Sequence, residues 1–115
     1  MKIFDTSPFG NELAELENGH YIKLALDRIR EHVEWLKTTK KTAQAVLAHI
    51  DILLMFARRF PVNSNLLIRK KEVKEWEEVF YDWYKRCGGR IPTKFREGIK
   101  ESADDLFKEL SNYGH

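Results

Sequence analysis

From His20 to Phe60 the chain runs without glycine or proline, and one line of apolar positions threads the whole stretch. The line is Ile22, Leu26, Ile29, Val33, Leu36, Lys40, Ala43, Leu47, Ile50, Leu54 and Ala57, with Lys40 its single polar interruption. Alternating steps of four and three place such side chains on one stripe of an α-helix, so helix packing is expected to organise the protein. A single helix over these 41 residues would be roughly 60 Å long, well beyond the usual helix of a domain this size. The run Thr38-Thr39-Lys40-Lys41-Thr42 lowers helix propensity and offers caps for a new helix, which favours a break there and a helical hairpin, while the unbroken heptad phase points to the alternative of one continuous helix. Twelve of the fifteen residues from Ala43 to Ala57 are apolar. The second arm is therefore expected to be central and buried on most of its surface.

Ser7 before Pro8 marks a helix start and Asn18-Gly19 a stop, predicting a short N-terminal helix from about Pro8 to Glu17. Pro61 ends the hairpin, and Val62 to Asn65 form the next connection. A third helix opens between Ser64 and Lys71, buries Leu66, Val73, Trp76, Phe80, Trp83 and Cys87, and stops at Gly88-Gly89. A fourth opens near Pro92 or Thr93 and is expected to bury Phe95, Ile99, Ala103, Leu106, Leu110 and Tyr113. The predicted fold is all-α, a small bundle of about four helices with a short N-terminal helix, in one domain over residues 1–115.

Composition narrows the class. Hydrophobic residues at 43% and charged residues at 33% fit a soluble globular chain rather than a disordered one. The most apolar stretch, Ala43 to Ala57, is shorter than the roughly 20 residues of a bilayer span and holds Gln44, His49 and Asp51, so no membrane partner is expected. A single cysteine, Cys87, fits a reducing compartment, and a cytoplasmic location is expected. Net charge is +2 but uneven: residues 1–57 sum to −1, residues 58–100 to +6 and residues 101–115 to −3.

The basic middle holds the most site-like stretch. Residues 85–100 carry six cations against one acid, with Gly88-Gly89 beside the start of a helix. That pattern suits an anion or a phosphate backbone, with Arg86, Arg90, Lys94 and Arg96 as contacts. Trp35, one step off the first seam, and Tyr81 and Tyr84, at the edge of the third, are the candidate protein-contact residues, since a ring with a polar tip suits a half-buried contact. Glu17 and His20 have E-x-x-H spacing without a second such pair, so no metal site and no cofactor is expected. Cys87 has no histidine near it in sequence to serve as base, and no catalytic residue is assigned. The reading is a non-enzymatic helical module that binds or assembles with another protein, a regulator or inhibitor of it, with self-association as a dimer expected. The alternative is nucleic-acid binding through residues 85–100.

Overall fold

The computed structural model describes residues 12–41, 44–59 and 68–114. Four helices form an all-α bundle: α1 (Glu12–Leu36), α2 (Val46–Arg59), α3 (Lys70–Cys87) and α4 (Thr93–Ser111), with a 3₁₀ turn at Gly88–Arg90 between the last two. Each helix packs on two neighbours, in the order α1–α2–α4–α3 and back to α1, within an envelope of 52 × 26 × 20 Å. Neither the helix start at Pro8, the Val62–Asn65 connection nor Leu66 lies among the described residues.

The hairpin forms as its sequence requires. Every apolar position of the long line that the structure describes is buried, and Lys40 is exposed in the turn. α1 ends at Leu36, just ahead of the threonines, and the two arms run antiparallel: Tyr21 near the start of α1 stacks on Phe56 near the end of α2, while His32 late in α1 meets His49 early in α2. α3 buries Val73, Trp76, Phe80, Trp83 and Cys87, the seam expected of it. Phe80 sits at the centre, with ring centroids 5.5 Å from Trp83 and 5.8 Å from Phe107.

Three expectations are corrected. The short N-terminal helix is not separate in its described part, because α1 passes straight through Asn18-Gly19. Glycine in an exposed helix interior costs only about 1 kcal/mol relative to alanine, and Asn18 lies on the same buried stripe as Ile22, Ala25 and Ile29, so continued burial outweighs the local turn preference. In α4 the seam rotates: Phe107 is buried, Leu106 is only partly so, and Phe95 is 52% exposed with Lys94 Nζ 4.9 Å over its ring. Finally, α2 is not buried on most of its surface. It touches α1 and α4 and leaves Ala48, Asp51, Ile52 and Met55 in solvent, because a ring of four helices covers each member on two sides only.

The adjacent pair Leu54 and Met55 tests this arrangement, since the first is fully buried and the second exposed. Leu54→Ala should lose about 2–5 kcal/mol of stability by urea denaturation, whereas Met55→Ala should stay within about 0.5 kcal/mol of the parent.

Candidate functional site

The C-terminal end of α3 fixes the hairpin turn. A helix leaves its last four carbonyls without intrahelical partners, and at the end of α1 an arginine from another helix takes one of them. Arg86 donates from Nη2 to the Leu36 carbonyl at 2.8 Å and from Nη1 to the Thr39 carbonyl at 3.2 Å, while Asp82 holds its Nε at 3.1 Å. Trp83 Nε1 donates to the Lys41 carbonyl at 3.0 Å, and the buried Cys87 thiol faces the Thr39 carbonyl at 3.6 Å. Arg96 is used in the same way, from Nε to the Ile91 carbonyl at 2.8 Å and from Nη2 to the Gly89 carbonyl at 2.7 Å. Of the four cations marked as phosphate contacts, Arg86 and Arg96 thus close turns of the protein itself. Arg90 and Lys94 are exposed.

The three candidate contact aromatics fall in two places. Tyr81 and Tyr84 are half-buried on the side of α3 that meets α4. Tyr81 donates its hydroxyl to Asp104 and packs against Phe107; Tyr84 donates to the Arg96 carbonyl at 3.3 Å. Burial and that bond to Asp104 push the Tyr81 phenol well above its usual range, and the same bond, with help from Lys100, holds the Asp104 carboxyl below its own. Gly88 is the small residue beside Tyr84, since an added Cβ would stand 3.4 Å from the ring. These two tyrosines bind α3 to α4 and border a shallow open depression of about 680 Å³ with Lys74, Glu77, Lys85 and Lys100 around it.

Trp35 belongs to a different surface. It stands in an exposed stripe of α1 made of Tyr21, Leu24, Arg28, Glu31 and Trp35, on the flank that faces α2. α2 carries a matching stripe, beginning one residue ahead of the helix: Ala45, Ala48, Ile52, Met55 and Arg59, all exposed. Both advance in steps of three, four, three and four. Tyr21, Leu24, Trp35, Ile52 and Met55 are each 43–59% exposed, and Phe56 packs partly buried between the two stripes. At roughly 200 Å² per side chain of this size, those five present on the order of 500 Å² of apolar area. That lies at the upper end of the roughly 300–600 Å² found for the largest patch on a typical monomer.

A histidine pair lies in the same face. The rings of His32 and His49 are 4.6 Å apart, with Trp35 edge-on to His32 at 6.1 Å. The His49 imidazolium is disfavoured first by burial, then by His32 and Arg28, with Glu31 opposing, and its pKa falls below 6.5. Sequence reasoning missed Tyr21, Leu24, Ile52 and Met55 because it followed the long seam alone. The signal was present as a second line of the same period, displaced around each helix.

Among the described residues no group of three or more His, Cys, Asp and Glu side chains is placed to hold a metal ion, and no helix is long and apolar enough to cross a membrane. Glu17 and His20 form an exposed contact of 3.7 Å within α1. The chain matches no known protein-family model, no curated protein and no solved structure.

The histidine pair yields a pH test. With the folded-state pKa of His49 below the 6.5 of the unfolded chain, the unfolded chain takes up the proton first as pH falls, so this contribution is intact above 6.5 and is lost on acidification down to the folded-state pKa. Unfolding measured at about pH 7.5 and 5.5, on either side of the ordinary histidine pKa, should show lower stability at the acid end. His49→Gln should reduce that difference, and an unchanged difference would assign it to other groups.

Proposed function

We propose that this protein is a non-enzymatic helical binding module that engages another protein through the exposed face of the α1–α2 hairpin. One observation supports the reading above others: six of the seven large hydrophobic side chains exposed among the described residues, Leu16, Tyr21, Leu24, Trp35, Ile52 and Met55, stand on these two helices. Five of them lie in the paired stripes, with aromatic rings at both ends and few charges between. Fully desolvated centres of protein interfaces have that composition, with aromatic residues and methionine enriched and charges depleted. Tyr81 and Tyr84 take a supporting part at most in this reading, since both hydroxyls are engaged with α4.

Nucleic-acid binding competes with it through Arg90 and Lys94, the two of the four marked cations whose side chains do not bond backbone carbonyls. Phosphate contacts release counterions, so such binding is strongest at low salt.

The two separate in one set of measurements. Capture of a partner protein from host extract by the tagged chain should be lost in Ile52→Lys and retained in the charge reversal of Arg90 and Lys94. The reading fails if Ile52→Lys keeps the partner, or if duplex DNA, single-stranded DNA or RNA binds at about 50 mM salt and is released by the charge reversal.

A further inference from the structure

We propose that the occupant of the α1–α2 face is a second copy of this chain, packed hairpin on hairpin about a two-fold axis parallel to the helices, so that α1 of each copy lies over α2 of the other. The inference rests on the binding-module reading and names its partner.

Three observations carry it. First, the stripes are matched in length and period. Each spans 15 residues, from Tyr21 to Trp35 and from Ala45 to Arg59, which is about 21 Å of helix from first to last. Their three-and-four spacing is the one that lets two helices interdigitate along their whole length at a shallow crossing angle.

Second, the stripes are complementary in volume. The hairpin contacts of His32 with His49 and Tyr21 with Phe56 fix which levels of α1 and α2 stand side by side. An axis parallel to the helices keeps those levels. It therefore sets the large Trp35 of one copy over the small Ala45 and Ala48 of the other, and Leu24 over Ile52 and Met55. The alternative axis across the helices would lay each helix antiparallel on its own copy, setting Trp35 against Tyr21, ring on ring, and Arg28 against Arg28, like charge on like.

Third, area and charge suit a copy. Two faces of about 500 Å² supply roughly 1,000 Å² from five side chains each, and the alanines and arginine stems extend this toward the roughly 1,200 Å² at which specific interfaces begin. Within the stripes Arg28 pairs with Glu31 at 3.3 Å in its own helix. The surface thus meets its like without the repulsion that a strongly charged face would impose.

Light scattering of the eluting full chain at about 100 µM, well above a micromolar dissociation constant, tests the inference. The wild type should elute at twice the mass of the 13.6-kDa chain. Ile52→Lys, which puts a charge into the face, and Ala48→Trp, which fills the space that Trp35 of the second copy needs, should each raise the dimer dissociation constant at least about tenfold, or 1.4 kcal/mol. Both positions are exposed in the single chain, so helical circular dichroism should be retained. Phe95→Lys, an exposed position on α4, should remain dimeric. A monomeric wild type overturns the inference, and if Ile52→Lys still loses a host partner, the binding-module reading stands without it. A dimer that resists both Ile52→Lys and Ala48→Trp overturns the assignment to this face.

Discussion

Much of this structure depends on how the end of α1 is held. Burial brings α1 and α2 together but does not fix the turn between them, because apolar contact is not directional. Direction comes from Arg86, whose planar fork bonds carbonyls at Leu36 and Thr39 while Asp82 steadies its other edge. Hydrogen bonds from a charged group are roughly twice as strong as neutral ones, and a lysine has no rigid fork with which to reproduce them. Trp83 adds the Lys41 carbonyl. The third helix thereby sets the turn of the first pair, and through that turn the relative level of the two exposed stripes.

The sequence foretold the elements better than their surroundings. The threonine run favoured the break that follows Leu36 although the heptad period ran on through it, and Gly88-Gly89 and Pro92-Thr93 marked the end of α3 and the start of α4, because each follows from local backbone chemistry. Asn18-Gly19 misled for the same reason: a turn signal worth about 1 kcal/mol was weighed without the tertiary burial that continues past it. The α4 seam was misplaced at its start and passed over Phe107, since a helix at 3.6 residues per turn drifts across a straight four-and-three line and Phe95 falls outside it, while Ala103 and Leu110 are buried as expected. In the candidate site, the exposure of Trp35 followed from its position off the seam. The engagement of Arg86 and Arg96 did not, because charge counts along a chain do not say which carbonyls a fold will bring within reach.

The two flanks of α1 show how the bundle divides its surface. Toward α3, Arg30 bonds Glu72 at 2.9 Å, and a groove of about 690 Å³ is bordered by Glu34, Glu75, Glu78, Asp82 and Lys37 over Val33 and Trp76. Ion pairs of Arg30 with Glu72, Lys37 with Glu34 and Arg86 with Asp82 line that flank. Toward α2 the exposed positions are largely apolar. One helix thus carries three surfaces, a core stripe, a polar flank and an apolar flank.

The position of Cys87 has a practical consequence. Its thiol is buried against the carbonyl of Thr39, within the turn that joins α1 to α2. A thiol reagent reaches that sulfur only when α3 and the turn part, so its rate of labelling measures the free energy of that local opening when reclosing is fast. The chain holds no other cysteine. It therefore carries a built-in clock for the opening of its own hairpin, with no label to introduce.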